Sequence, residues 1–469
     1  MKDLRQQRWR HRLNFYAFIA SLLGEGDVYP PTEFAHPVSK DQVVKAWKGT
    51  ADAINKGQAP KQLGIFIFVP FCRTKCLFCP YFSFALSSGK QLDIYTRSII
   101  DEMNFFQGVF NHTEFNTVWF GGGTPSILEK DHLTRIFSTL YDLFPFTRDL
   151  QITFECSCSS TDYYKLKLLH QLGVNRITLG IQSLNDRVLK VNNRLYQNRK
   201  ESMNLINDAR KAGIEIVNID LMCGLPGDNL RSFLKGLKEI MALEPDMIHI
   251  NPFFPSDETH FDQIGREYSE KDMKRRSREA NLGTEILLKA GYKRADGAFL
   301  GFCRREGVCN QQEIDRVKYT SSYLSFGPSA ESHAFGQMDY TNAYFGKKWN
   351  KPVLPRYIGR ELDVKEEMRK HIVSNLRKVI VRKDFKNLFG GDIVDNFKEE
   401  IEILNDFNLV HIDQEKIFFK IKTRQEQLIL AKHFFKPAYL KGMATKFKVR
   451  FNKNKNYFKE ITKLIDSSV

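Results

Sequence analysis

No run among the 469 residues approaches the roughly 18 consecutive apolar residues that a membrane-spanning helix requires. Residues 1–12 are basic and precede an apolar stretch at 13–24, in the manner of a secretion signal. No small-residue cleavage site follows, so an amphipathic helix is the better reading. The eight cysteines, at 72, 76, 79, 156, 158, 223, 303 and 309, form no disulfide scaffold for a chain of this length. That pattern, with the oxygen-sensitive centre argued below, implies a reducing, cytoplasmic setting. The glycine-rich turn at 121–126 is neither a Walker loop, which needs Gly-Lys-Ser/Thr, nor a G-x-G-x-x-G fingerprint.

Charge is not lacking: the net value is +16. Part of the excess is local, since residues 437–469 hold eight Lys/Arg against two acids, interleaved with Phe447, Phe451, Tyr457 and Phe458. Such an end can bind polyanions, but a solvated basic tail is the simpler reading, and nucleic acid is the least favoured partner. A hydrophobic fraction of 42% is that of a globular protein, and the length suits one large domain with one or two smaller ones.

What is present centres on Cys72, Cys76 and Cys79. Their spacing, C-x3-C-x2-C, begins directly after a short apolar strand at 65–69. Three thiolates can each take one iron of a [4Fe–4S] cube and leave the fourth iron without a protein ligand. An open iron can bind a substrate or cofactor, as the open position does at catalytic zinc. Structural zinc is the competing reading. It normally needs four closed ligands, and the loop offers no fourth Cys or His.

Short β-rich runs recur at 65–69, 117–120, 150–155, 175–181, 215–221 and 246–251. Helical patterns lie between them, at 95–106, 132–143, 162–172 and 232–243. Strands alternating with helices imply a parallel sheet, and six such units suit a partial (β/α)6 barrel; an open, doubly wound sheet is the alternative. The predicted α/β architecture has an N-terminal extension over 1–60, the barrel over 61–292, and an irregular barrel-closing region over 293–365. A winged-helix-like α+β domain follows over 366–436, then the basic tail over 437–469.

In a barrel the chemistry gathers at the carboxyl ends of the strands. Gly121, Gly122, Gly123 and Thr124 end the second strand, where glycines let a ligand approach the backbone. Glu155 and Gln182 end the next two, Asp220 lies near the end of the fifth, and Arg194 could supply a carboxylate clamp from a nearby loop. Each has a plainer reading as a cap or a surface group. Cys156 and Cys158 read as inert thiols, and Cys303 and Cys309 as poor evidence for a second cluster. His249, His260 and His333 read as structural or surface residues, with His333 the one placed to meet substrate.

Taken together these residues resemble the radical S-adenosylmethionine (SAM) superfamily. More narrowly they resemble its oxygen-independent coproporphyrinogen III oxidase and haem-chaperone group. The carrying motifs are Pro70-Phe71-Cys72, Cys76-x-Phe78-Cys79, Trp119-Phe120-Gly121-Gly122-Gly123-Thr124-Pro125-Ser126, the run from Gly173 to Ser183, and Asp220-Leu221-Met222-Cys223-Gly224-Leu225-Pro226-Gly227. They span about 60–345, and Phe389-Gly390-Gly391-Asp392 resembles the group's C-terminal domain. The resemblance implies that Cys72, Cys76 and Cys79 hold a [4Fe–4S] cluster and that SAM chelates the fourth iron. It puts Phe78 beside the adenine, Gly121, Gly122, Gly123 and Thr124 on the methionyl part, and Glu155, Gln182, Arg194 and Asp220 on the remaining polar contacts.

Reductive cleavage of SAM would then give a 5′-deoxyadenosyl radical that takes hydrogen from a small organic substrate. Tetrapyrrole or haem is favoured as that substrate, with flavodoxin or ferredoxin as electron donor. Methyl transfer with two SAM molecules is a second reading, and a cluster-bearing haem-trafficking protein a third. Tyr81 stands where the family's oxidases carry a further Cys, and Phe66 and Phe68 where they carry Tyr and His.

Overall fold

The computed structural model describes residue 29 and residues 34–194, 196–256, 259–261, 267–295, 300–318, 321–343 and 355–450. The helix expected at 13–24 and the tail beyond 450 lie outside the described residues. The strands are β1 (His36–Val38), β2 (Gln62–Val69), β3 (Phe71–Cys72), β4 (Phe84–Ala85), β5 (Phe115–Gly122), β6 (Phe146–Cys156), β7 (Arg176–Gln182), β8 (Ile216–Cys223) and β9 (Met247–Pro252). After them come β10 (Lys293–Arg294), β11 (Gly301–Cys303), β12 (Ser321–Phe326), β13 (Glu331–Ala334), β14 (Met338–Ala343), β15 (Arg356–Glu361), β16 (Ile380–Val381), β17 (Val410–Ile412) and β18 (Lys416–Phe419).

β2, β5, β6, β7, β8 and β9 lie side by side, all parallel, and form the expected six-unit partial barrel. Alternation assigns their two faces. On β2, Leu63, Ile65, Ile67 and Val69 are fully buried in the layer beneath the helices, while Gly64, Phe66 and Phe68 face the lumen. Phe120 of β5 stacks on Phe137 of the helix Lys130–Leu143, with ring centres 5.0 Å apart. The helices begin where polar side chains satisfy their first free N–H groups: Asp162 accepts from Lys165, Asn198 from Glu201 and Asn229 from Ser232.

The region 293–365 differs from the expectation. Its described residues supply six strands rather than irregular chain, and these extend the sheet instead of closing it. β12 adds a seventh parallel strand beside β2, and β13, β14, β15 and β1 continue antiparallel from it; β11 and β10 continue antiparallel beyond β9. The reason is compositional. A strand such as Ser321-Ser322-Tyr323-Leu324-Ser325-Phe326 keeps only Leu324 and Phe326 on the apolar side, so its sequence looks like a loop. Residues 34–60 are likewise part of the main body, because β1 pairs with β15 and the helix Lys40–Asn55 buries Trp47 in the core.

A second core belongs to the C-terminal domain. Four helices, Val364–Ser374, Arg382–Phe389, Lys398–Asp406 and Arg424–His433, surround the three-stranded antiparallel sheet β16-β18-β17. Phe385, Phe389, Phe397, Phe419 and Phe434 fill it, which is the winged-helix-like arrangement expected. Leu440 and Met443 of the next helix, Pro437–Arg450, also enter this core, so the domain runs past residue 436. No helix among the described residues is long and apolar enough to cross a membrane.

Candidate functional site

The cysteine loop leaves β2 at Pro70 and returns at β4. Phe84 donates its N–H to Pro70 O at 2.7 Å and Leu86 to Cys72 O at 2.8 Å, which pins the two ends together. The tip docks on the turn after the helix Asp186–Val191: Asn193 Nδ2 donates to Lys75 O at 2.8 Å and Leu77 N–H to Asn192 O at 3.2 Å. Lys75 Nζ folds back onto Tyr81 O and onto Ser83 Oγ at 2.9 Å.

The thiols find polar company at once. Thr124 Oγ1 donates to Cys72 Sγ at 3.4 Å, Arg194 Nη1 to Cys76 Sγ at 3.3 Å, and the Tyr196 hydroxyl lies 3.4 Å from Cys76 Sγ. Burial pushes the Cys72 and Cys79 thiols up, while Thr124 and Lys75 respectively draw them back. Burial also works against the Arg194 charge, but Cys76 and Tyr196 outweigh it and raise its pKa. Among the described residues no three His, Cys, Asp or Glu side chains surround a point that a single metal ion would fill. A cube spreads three thiolates over three separate irons.

Beside this loop sits the glycine turn that ends β5. Gly122 has φ +105°, a conformation that side chains rarely adopt. Gly123 donates its N–H to Val69 O at 2.8 Å, and a Cβ there would lie 2.7 Å from Phe71 O. The turn can therefore carry no side chain between itself and the start of the cysteine loop. Next to Gly121, Glu155 accepts from Trp119 Nε1 at 3.0 Å, and burial followed by the nearby Asp220 pushes its pKa up to about 8.

At the end of β7, Gln182 has φ +65° and its buried Oε1 has no hydrogen-bond partner among the described residues. Arg194 spends Nη2 on Gly180 O at 2.6 Å and on Gln197 Oε1 at 2.9 Å, yet its buried Nε also lacks a partner. Asp220 on β8 accepts from Asn218 Nδ2 at 3.1 Å. Phe78 lies 6.0 Å beneath the Arg194 guanidinium and packs among Val188, Met222, Leu225, Phe253 and Phe261.

All twelve residues singled out in the sequence thus lie on the cysteine loop, on the strand ends or on the turn that docks against them. Four neighbours were not singled out for this role. Tyr196 is two residues from Arg194, Trp119 hydrogen-bonds Glu155, and the Tyr81 phenol has Glu155, Cys79, Asp220 and Glu313 as charged neighbours. His249, read as structural or surface, instead points its Nδ1 at Asp220 Oδ1, 3.3 Å away. Its signal was its place in β9, on the same face as the polar positions of the strands before it. Cys156 is buried, its pKa pushed up to about 12 by burial, as suits an inert thiol. Cys303 and Cys309 approach to 2.9 Å between sulfurs, below the barrel and apart from the other cysteines.

The concave face of the sheet continues from the lumen over β12 to β15, where the C-terminal domain covers it. Between them lies a cavity of about 910 Å³, lined among others by Trp119, Arg316, Tyr323, His333, Arg360 and Lys370.

Residues 66–240 match the family model of the radical SAM superfamily. That stretch is similar to a radical SAM domain. The chain is 27% identical over 235 residues to the heme chaperone HemW of Buchnera aphidicola, covering 50% of this chain and 61% of that protein. It is 30% identical over 203 residues to the oxygen-independent coproporphyrinogen III oxidase of Synechocystis, covering 43% of each. These matches therefore span less than two thirds of either relative. In structure the chain is similar to coproporphyrinogen III oxidase (HemN) from Escherichia coli, a radical SAM enzyme. The TM-score is 0.69 and the identity 20%, covering 88% of this chain and 98% of that one. Proteins of the radical SAM superfamily use a [4Fe–4S] cluster and SAM. The site suits both: three thiols on one pinned loop, a backbone turn without side chains, and two buried polar atoms still wanting partners.

Proposed function

We propose that Cys72, Cys76 and Cys79 hold the cluster and that SAM lies between their loop and the ends of β5 to β8. Its contacts would be Phe78, Gly121, Gly122, Gly123, Thr124, Glu155, Gln182, Arg194 and Asp220. The observation that carries this reading is the pair of unpartnered buried atoms, Gln182 Oε1 and Arg194 Nε, on two side chains that both approach Gly180. A buried polar group left unsatisfied costs about 1–3 kcal/mol, a cost that a polar ligand removes.

When bound at the reduced cluster, SAM supplies hydrogen abstraction from an unactivated carbon. The chain's part is binding and shielding. Arg194 offers its guanidinium to a carboxylate. Thr124 and Tyr196 hold hydroxyls against the thiols, and the rings of Phe78, Phe253 and Phe261 keep water away. Glu155, with its raised pKa, is able to donate a hydrogen bond as well as accept one near neutral pH.

A tetrapyrrole is the favoured substrate. The cavity of about 910 Å³ lies at the upper end of ordinary ligand pockets, Trp119 offers a flat face, and Arg316, stacked over the Tyr323 ring at 4.5 Å, and Arg360 offer cations for carboxylate substituents. The names of the relatives point the same way. Anaerobic incubation with SAM and dithionite tests the reading: 5′-deoxyadenosine supports it, and added S-adenosylhomocysteine assigns methyl transfer. Tight haem binding with neither product would replace it with haem trafficking. Cys72→Ala is expected to abolish the brown thiolate–iron absorption of reconstituted protein, because two thiolates do not hold the cube. A variant that kept that colour would refute the ligand assignment.

A further inference from the structure

The lumen has two unlike walls. On one side β2 and β5 present Phe66, Phe68 and Trp119, with Phe66 and Trp119 edge to face at 5.3 Å between ring centres. On the other side β7, β8 and β9 present Arg176, Thr178, Asn218, Asp220 and His249. These are joined in a chain: Arg176 Nη1 donates to Thr178 Oγ1 at 3.2 Å and Asn218 Nδ2 donates to Thr178 Oγ1 at 3.3 Å. A flat molecule stacked on the aromatic wall turns its edge to the polar one.

The chain of donors fixes the histidine. Asn218 uses its amide nitrogen on Thr178 Oγ1 and on Asp220 Oδ1, so its Oδ1 is an acceptor. That Oδ1 lies 3.2 Å from His249 Nδ1, and Asp220 Oδ1 lies 3.3 Å from the same nitrogen. With two acceptors before it, Nδ1 must carry the hydrogen, which leaves the lone pair on Nε2. His249 sits between Ile248 and Ile250, both buried on the helix side, so alternation turns its ring into the lumen.

We propose that His249 is the proton-accepting catalytic residue of the lumen: the Nε2 lone pair forms an N–H bond to a proton of the substrate, the bond to that proton breaks with its electron pair left on the substrate, and Asp220 faces the charge that forms on the ring. The charged group beside it is Asp220 from β8, which in turn has Arg176 from β7 and Glu155 from β6 as charged neighbours, with Glu313 of the helix Gln311–Lys318 close to both; β11 brings Gly301 opposite His249. Asp220 thus has two tasks, since one of its oxygens already receives Asn218 and His249 and the other is left for a cofactor.

The proposal rests on the radical SAM reading for its turnover assay, but not for a labelling assay on the full reconstituted chain under anaerobic conditions. Diethylpyrocarbonate is expected to modify His249 in the ligand-free protein, and haem added with SAM to slow that modification about fivefold or more. A His249 that resists the reagent without ligand overturns the proposal, because its Nε2 then does not face open lumen. In turnover with haem as probe, His249→Ala is expected to lower haem consumed per 5′-deoxyadenosine formed by about 100-fold, within the usual range for general bases. Added imidazole should restore a measurable part of it. An unchanged ratio, or a loss that imidazole never restores while His249→Gln recovers it, assigns His249 to packing and overturns the proposal. If the unaltered protein forms no 5′-deoxyadenosine, the radical reading fails, and the labelling result still decides whether His249 faces the lumen.

Discussion

Glu102, on the helix Gly89–Met103, is a carboxyl with no part in the site, and it shows what burial does to a single group. It is 3% exposed and receives Asn342 Nδ2 at 2.7 Å, Gly327 N–H at 3.2 Å and the Tyr357 hydroxyl at 3.3 Å. Burial nevertheless prevails over these three donors and pushes its pKa up to about 8. The folded state therefore keeps a proton that the unfolded chain releases above its ordinary carboxylate pKa. Stability from this group is full below that ordinary value and is lost as pH rises through about 8. Glu102→Gln, which cannot ionise, should flatten the fall in melting temperature between pH 5 and pH 9; a fall as steep as in the unaltered protein would contradict this. Residue identity was readable where spacing alone makes a pattern, as at Cys72, Cys76 and Cys79. It was not readable for Tyr196 or His249, whose partners lie on other segments of the chain.

At the scale of elements, the helix Lys40–Asn55 is the clearest example. Ser39 and Gln42 form a reciprocal capping box at its start, a signal local enough to read from the sequence. Its destination was not local. Trp47 is wholly buried, donates Nε1–H to the Tyr340 hydroxyl on β14 at 2.9 Å, and meets Phe110 edge to face at 5.7 Å. Trp47→Ala should cost about 3–5 kcal/mol in denaturant unfolding of the main body, as large-to-small changes of buried aromatics do. A cost below about 1 kcal/mol would mean that this helix lies outside the core. The six parallel strands were legible because their buried face repeats every second residue between helices. Strands β12 to β15 were not, because one face of each carries polar side chains such as Ser321, Glu331, Asp339 and Arg360 toward the cavity and breaks that apolar rhythm.

At the scale of the whole molecule, an ionic junction fastens the C-terminal domain to the sheet. Lys370, on the helix Val364–Ser374, donates to Asp339 of β14 at 2.9 and 3.1 Å. His333 of β13 lies 2.6 Å from the same carboxylate, and Glu367 lies 3.6 Å from the other nitrogen of that ring. Burial would push Asp339 up, but Lys370 and His333 outweigh it and hold it well below the usual carboxylate range. Lys370→Met leaves that carboxylate short of its main cation, at a cost of roughly 3 kcal/mol. The expected outcome is earlier proteolytic cleavage around residues 364–450 and a melting transition that splits in two. A single, unshifted transition would show that the apolar contacts alone join the domains.

By itself the sequence determined the cysteine triad, the glycine turn and the alternation of strand and helix. Each of these is a short-range pattern, set by the reach of one loop or the period of one element. Only the tertiary structure decided which side chains stand across the lumen from one another, that residues 293–365 widen the sheet, and that a cavity opens beneath the C-terminal domain. Those facts depend on strands hundreds of residues apart meeting in register, as β1 meets β15 and β12 meets β2, and no local period in the chain records such a meeting.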